Sequence, residues 1–382
     1  VGIPIVIEVA GSAEGSQVRE ALADLAETYP HSQVVTLPSQ KRVPPYGSHA
    51  RLSCGDGECR LEGASAEALA RTDAFNADCQ ALLGEPAGTD TPSLQEAYEA
   101  ADRLSVHHQE RYLSAMLWLS TCCVALVLAF LLYDEAELRL MLVAYGAIMA
   151  AYALLYRRVT RGGNHERYVH YRVLAETLRV QGHLATLGIE AFAADDFPWT
   201  QREDIGWVRA AVGAVIACGK PVPEAGQDQV KEEWIDGQAA YHRRAARRDG
   251  RKAQTSDAVV QAMLAVTMLL FLLTCVLEFA FPSVMAREVL GISICSWLKI
   301  ALGCASAVTL FVSGYYGSLS LERKVHDHER MALLFERAAD EYERKPDQDA
   351  RHALFRRLAR EEVIENGTWM SYCIEDRPTF SL

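Results

Sequence analysis

The chain has 382 residues, room for two or three domains, and a formal net charge of −12. That balance argues against nucleic acid as a partner, because tracking a phosphate backbone needs excess Lys and Arg. Half the residues are apolar and the mean hydropathy is near zero, which suits a protein that is part membrane and part soluble.

Residues 3–9 form a continuous β-branched run, read as a buried strand. With no signal-like segment before it, we expect most of an upstream domain to precede Val1. A turn with Gly11 and Gly15 follows, then a helix with Val18, Leu22, Leu25, Ala26 and Tyr29 on one face, then a strand at 34–37. Strand, glycine turn, helix and strand is the pattern of a parallel sheet, here a small α/β remnant. The turn could cradle a phosphate at the helix N-terminus, but it lacks G-x-G-x-x-G spacing. Residues 38–92 are poor in periodicity and read as irregular. Within them Cys54 and Cys59 mark either a surface turn or part of a zinc site, with Cys79 and His49 the nearby candidate ligands.

Ser93 and Glu96 form a capping box, opening a helix that should run unbroken into the first apolar run. Runs at 116–133, 140–156, 259–281 and 289–316 each approach or exceed the length a helix needs to cross a hydrocarbon core. The first two show no charge within a run, unlike the exposed face of a soluble helix, and tyrosines mark the run ends. Pro282 should kink the link of the second pair. Five of the ten cysteines, Cys122, Cys123, Cys275, Cys295 and Cys304, lie in these runs and act as small hydrophobes. The other five are scattered, which suits a reducing cytosol better than a disulfide framework.

Between and after the pairs, seams at spacings of three and four predict helices. They hold Tyr168, Tyr171, Ala175, Leu178 and Gly182; Ile205, Val208 and Val212; and Val230, Trp234, Gly237, Tyr241 and Ala245. A longer seam, Leu321, Val325, His328, Ala332, Phe335, Ala339 and Tyr342, should extend the fourth run without a break. A last short helix holds Leu354, Leu358 and Val363 and should end at Gly367. Short links carry only Arg139 and Arg287, whereas Arg157, Arg158, Arg161, the cluster from Arg243 to Lys252, Arg323 and Lys324 flank the runs. By the positive-inside rule both termini are cytoplasmic.

The fold class expected is therefore a mainly α membrane protein. It has two transmembrane helical hairpins (four membrane helices), long cytoplasmic helical extensions and a small N-terminal α/β remnant. The divisions are 1–92, an α/β remnant and linker; 93–190, the first hairpin with flanking helices; 191–252, a cytoplasmic helical segment; 253–345, the second hairpin with its cytoplasmic helix; and 346–382, a C-terminal helix and tail.

No Walker loop, H-E-x-x-H, G-x-S-x-G or C-x-x-C appears, and no catalytic residue, cofactor or metal is assigned. Asp195 and Asp196 read as helix-entry charges. The polar residues of the fourth run are the candidate site: Ser296, Lys299, Gly303, Ser306, Ser313 and Gly317 share one stripe, with Glu278 the candidate charge partner of Lys299. A charge inside hydrocarbon should face protein or water. Two readings stand, a water-lined path or a small-residue packing seam with Lys299 reaching outward.

Four segments carry a resemblance to a family: Ala101-Asp-Arg-Leu with His108-Gln-Glu-Arg-Tyr, His170-Tyr-Arg-Val-Leu-Ala-Glu, Trp234-Ile-Asp-Gly-Gln-Ala-Ala-Tyr and Glu365-Asn-Gly-Thr-Trp. Together they resemble bacterial SLATT-type proteins, the two-helix membrane effectors associated with SMODS and SLOG domains, over roughly residues 90–372. The resemblance implies an oligomeric inner-membrane effector, a pore or channel gated by a cytoplasmic signal in anti-phage defence. Its partners would be the lipid bilayer, further copies of itself, and a nucleotide ligand sensed by an upstream SLOG-like domain. This chain lacks a complete sensor, so no ligand residue is carried over. The alternatives are a membrane-tethered enzyme acting on a nucleotide and a non-conducting membrane scaffold.

Overall fold

The computed structural model describes residues 2–10, 15–37, 50–55, 58–62, 65–84, 91–201, 204–318, 320–345 and 347–375. The glycine turn at 11–14, His49, the tip of the Cys54/Cys59 loop and Pro346 lie outside them. Two units are distinguished, one of Val1–Gln109, His165–Gln238 and Phe335–Leu382, the other of Glu110–Asn164 and Ala239–Leu334.

The first unit opens with a four-stranded sheet, β1 (Ile5–Ala10), β2 (Val34–Leu37), β3 (Ala50–Gly55) and β4 (Glu58–Glu62), in the order β2-β1-β3-β4. β1 is parallel to both β2 and β3, as the β-α-β pattern requires, and β4 turns back antiparallel. Helix α1 (Gly15–Thr28) lays Val18, Leu22 and Leu25 against a core of Ile5, Ile7, Tyr29, Ala50 and Leu52. Cys54 and Cys59 stand opposite each other in the β3–β4 register, and Cys59 is disulfide-bonded, so the irregular loop expected here is a hairpin.

Helix α2 (Ala66–Leu83) also lies within the stretch read as irregular. Ser65 caps it, accepting from the Ala68 N–H at 3.1 Å, and Gly84 ends it at φ 66°. Its buried stripe is Ala68, Leu69, Thr72, Phe75, Asn76 and Cys79. The polar members Thr72 and Asn76 hide the helical period. Asn76 is satisfied by tertiary bonds: its amide donates to the Ile3 carbonyl at 2.9 Å and accepts from the Ile3 N–H at 2.8 Å.

Helix α3 (Leu94–Glu135) starts at the expected capping box, with Ser93 N–H to Glu96 at 2.7 Å and Glu96 N–H to Ser93 Oγ at 3.2 Å, and runs unbroken through the first apolar run. Helix α4 (Leu140–Gly162) carries the second run. Helix α5 (Asn164–Thr186) is buried nearly all round, by Val169, Tyr171, Val173, Leu174, Leu178, Val180 and Leu184. The narrow seam expected for it is one side of a central core helix. Helix α6 (Gly206–Cys218) follows two short 3₁₀ turns and starts later than the sequence suggested.

Helix α7 (Gln227–Val230) passes through a π-helical segment, Lys231–Asp236, into α8 (Gly237–Ala280). A π turn holds extra residue length, so it rotates everything after it relative to a regular α-helix. Of the expected seam Val230, Trp234 and Ala245 are buried, while Tyr241, seven residues after Trp234, is 39% exposed, which corrects its expected place in the buried seam.

Helix α8 ends at Ala280. A short α9 (Pro282–Met285) has its proline at the first position, where the missing N–H costs nothing. A two-stranded ribbon follows, β5 (Glu288–Val289) and β6 (Ile292–Ser293), turning at Leu290 and Gly291, both with positive φ. These residues were expected inside the fourth apolar helix. That helix, α10 (Ile294–Ser318), begins later, and Ser320 at φ 47° separates it from α11 (Leu321–Arg344), so the expected unbroken extension is not seen.

The α11 seam stands as read, with Ala332, Phe335 and Tyr342 buried. Helix α12 (Gln348–Glu375) is not short, and Gly367 does not end it. A Cβ there would stand 2.2 Å from Gln201 Oε1 and 3.0 Å from Phe197 Cδ1, so a larger residue would have to push the Gln201 amide aside. Gly367→Ala is expected to destabilise the protein by roughly 1–3 kcal/mol through overpacking, seen as a lower melting temperature. An unchanged melting curve would refute the tight contact.

Candidate functional site

Lys299 lies in the second turn of α10, roughly 8 Å along the axis from Ile294 at 1.5 Å per residue. The sequence had placed it deeper, because the ribbon before α10 was counted as helix. Its carboxylate neighbour is Glu135 at the C-terminal end of α3, 3.0 Å from Nζ, while Glu278 is exposed. One turn on in α10, Gly303 meets Leu131, one turn back in α3, so the two helices run antiparallel. A Cβ at Gly303 would stand 2.6 Å from Leu131 Cδ1. Thr267 of α8 and Thr309 of α10 share a hydroxyl hydrogen bond at 3.2 Å.

The expected stripe divides. Gly303 and Ser306 are partly buried, Ser296 bonds Ser293 through its backbone N–H at 3.0 Å, and Ser313 and Gly317 are exposed. Small-residue packing accounts for the Gly303 end of the stripe. Glu135 was missed as the partner of Lys299. Its signal was its place at the end of the first apolar run.

Three of the four spans are almost without buried residues. In the apolar windows of the four long helices 28%, 6%, 0% and 6% of residues are buried, in chain order. Leu140, Leu269, Phe279 and Leu310 are 71%, 65%, 86% and 74% exposed. By length and composition all four helices can cross a membrane.

The first unit holds a buried polar network that the sequence did not suggest. Glu362 of α12 accepts from Trp234 Nε1 at 2.6 Å and from Arg179 of α5 at 3.0 Å. Arg179 also binds Glu176, which binds Arg172, which reaches Asp102 of α3 at 2.7 Å. Burial raises the Glu362 carboxyl above its usual range despite Arg179 and the Trp234 N–H. His183 stacks on Trp234 with centroids 4.8 Å apart, and burial followed by the Arg179 charge pushes its imidazole down to about 3. The available signal was Glu362 standing among Leu358, Ala359 and Val363 on the apolar face of α12.

A second cluster centres on Asp78 of α2. It accepts from Tyr171 at 2.7 Å, Arg167 at 3.0 Å and His108 at 3.2 Å. Burial alone would raise its carboxyl, but the bonds from His108 and Tyr171 and the Arg167 charge hold it below the usual range. These clusters tie helices together. Asp195 likewise pairs with Arg209 of α6, and the Asn366 side chain is buried on the Val173 carbonyl. Among the described residues no group of three or more metal-ligating side chains comes together, and the bonded Cys59 is no zinc ligand. No family model, curated protein or solved structure matches the chain.

Trp234→Ala removes a fully buried ring and leaves Glu362 short of a donor; we expect a loss of roughly 3–5 kcal/mol, and unchanged melting would rule out the buried stack. His183 gives a pH dependence. Its folded pKa is depressed from 6.5, so the unfolded chain binds a proton that the folded chain refuses. The stability it confers is present above pH 6.5 and drains as pH falls towards 3. Glu362 opposes this only where its raised carboxyl titrates. The melting temperature should fall on acidification below pH 6.5, and His183→Phe, which keeps the stack, should flatten that fall. An identical slope in both proteins would exclude His183 as the cause.

Proposed function

We propose that this chain is a homo-oligomeric membrane effector of the SLATT kind, a pore or channel gated by a cytoplasmic signal, and not an enzyme. The observation that carries the reading is the bareness of the apolar windows. Helices this apolar and this uncovered need lipid or further copies of the chain around them. In this reading residues 116–156 and 259–316 are two transmembrane hairpins whose tips face outward, with both termini cytoplasmic in a bacterial inner membrane. The Lys299–Glu135 pair then lies near the outer interface, where a lysine reaches the headgroups at low cost. In an oligomer it would line or flank the outer mouth and bias the permeating ion by its charge. The buried network around Glu362 supports a unit built to hold helices in register, the property a gate needs. Anti-phage defence is the role that the family resemblance adds to this reading.

The test uses the full chain in vesicles loaded with a self-quenched dye, alongside its mass in detergent. Assembly larger than a monomer and dye release or bilayer conductance are expected, with Lys299→Gln shifting anion-to-cation permeability. A stable monomer with silent bilayers would overturn the pore and leave a scaffold. For orientation, Cys at Glu135 or Ala286, in a background without native Cys, should react with an impermeant thiol reagent in intact cells. Cys at Arg161 or Arg247 should not; labelling there would invert the topology.

A further inference from the structure

Several arginines are ion-paired, among them Arg71 with Glu166, Arg167 with Asp78, Arg172 with Asp102, Arg179 with Glu362 and Arg248 with Asp249. Among the described residues Arg157, Arg158 and Arg161 of α4, and Arg244, Arg247 and Arg251 of α8, carry no side-chain ion pair or hydrogen bond, and all six are exposed.

Arg244, Arg247 and Arg251 follow one another at spacings of three and four, so they share one face of α8. Arg247 has Arg243 and Arg244 one turn before it and Arg251 one turn after it. Like charges at these spacings destabilise a helix. They stand in the body of a 44-residue helix, far from its C-terminal end, so the helix dipole does not account for them. A chain of net charge −12 has not acquired them through a general excess of base. Asp249 pairs with Arg248 and Lys252 within this stretch, and an anion from outside the chain would relieve the repulsion that remains.

The directions of the helices bring the two sets to one end of the second unit. Lys299 at the start of α10 meets Glu135 at the end of α3. Only four residues link α3 to α4 and thirteen link α8 to α10. Tyr152 interacts with Cys122 and Cys123, and Thr267 bonds Thr309, the partners standing about equally far from their link on either side, so α4 and α8 are antiparallel to α3 and α10 respectively. The C-terminal end of α4 and the stretch of α8 before its apolar run therefore both lie opposite the Lys299–Glu135 end. Arg157 and Arg158 directly follow the apolar run of α4. Arg251 stands roughly 12 Å and Arg247 roughly 18 Å before residue 259, at 1.5 Å per residue. A headgroup layer is roughly 5–8 Å thick, and a long side chain together with a Debye length of about 8 Å spans the remaining distance.

We propose that these six arginines form a collar that binds the headgroups of anionic phospholipids in the leaflet they face. The collar selects lipid as well as setting topology. The inference rests on the membrane reading above and names the lipid class that reading leaves open. Basic residues at headgroup depth each favour anionic lipid by about fivefold, with less from Arg244, which stands furthest out.

The test is native mass spectrometry of the full chain from mixed micelles holding equal amounts of phosphatidylglycerol and phosphatidylcholine. The wild type should retain phosphatidylglycerol over phosphatidylcholine by about fivefold or more, and about 0.5 M salt should weaken the preference. The triple variant Arg244→Gln, Arg247→Gln, Arg251→Gln should move towards parity with its melting temperature unchanged or raised. Lysine at the same three positions should restore the preference. Arg157→Gln, Arg158→Gln, Arg161→Gln gives a second reading by the same criterion if the first variant does not fold. Equal retention by the wild type, or an undiminished preference in folded glutamine variants, would overturn the proposal. So would a glutamine variant that loses its oligomeric state in phosphatidylcholine alone, because the collar would then be a contact between copies. A wild type that fails to enter vesicles at all would defeat the membrane reading instead.

Discussion

Uncovered apolar surface is the constraint on which this structure depends. Water disfavours such surface roughly in proportion to its area, and no residue in the apolar window of α8 is buried. In hydrocarbon the same window is favourable, provided that every backbone polar group is bonded within the segment. A continuous helix meets that condition. It accounts for the length of α3 and α8, 42 and 44 residues, and for the placing of irregular backbone in the short stretches beyond their ends. Where helices of the second unit touch, a glycine at Gly303 and the hydroxyl pair of Thr267 and Thr309 stand alongside buried apolar side chains such as Leu119, Leu126 and Ile300.

The first unit obeys a different rule. Its helices are surrounded by protein, and α5 is buried on nearly every side. Apolar packing of that kind tolerates sliding, because one aliphatic contact resembles the next. The charged and polar groups in it do not. Glu362, Arg179 and Trp234 satisfy one another in one register, and displacing any of them leaves a buried polar group short of a partner. The Asp78 cluster acts in the same way between α2, α3 and α5. The π-helical turn at Lys231–Asp236 supports this arrangement by turning Trp234 fully into the core before α8 begins.

Charge is distributed along the same division. In the first unit Arg167, Arg172 and Arg179 hold carboxylates of other helices, whereas Arg157, Arg158 and Arg161 of α4 and Arg244, Arg247 and Arg251 of α8 are exposed.

The sequence by itself determined the coarse architecture, a mainly helical chain with four helices long and apolar enough to cross a membrane. Four runs long and apolar enough to cross a bilayer are a property of composition and length, and the β-α-β start and the capping box at Ser93 and Glu96 are local patterns that formed as read. It missed α2, because the stripe of that helix includes Thr72 and Asn76; Thr72 is satisfied by the Ala68 carbonyl one turn back, but Asn76 only by partners far along the chain. It carried the Trp234 seam on to Tyr241, because a π turn has no marker in a 4-3 pattern, and it ended α12 at Gly367, because a glycine that makes room for Gln201 reads like one that ends a helix. It offered Glu278 to Lys299, where the structure brings Glu135 from 164 residues away. Periodicity reports which face of a segment is apolar. Which residue meets which across that face is decided by the packing of one helix against another, and only the tertiary structure contains it.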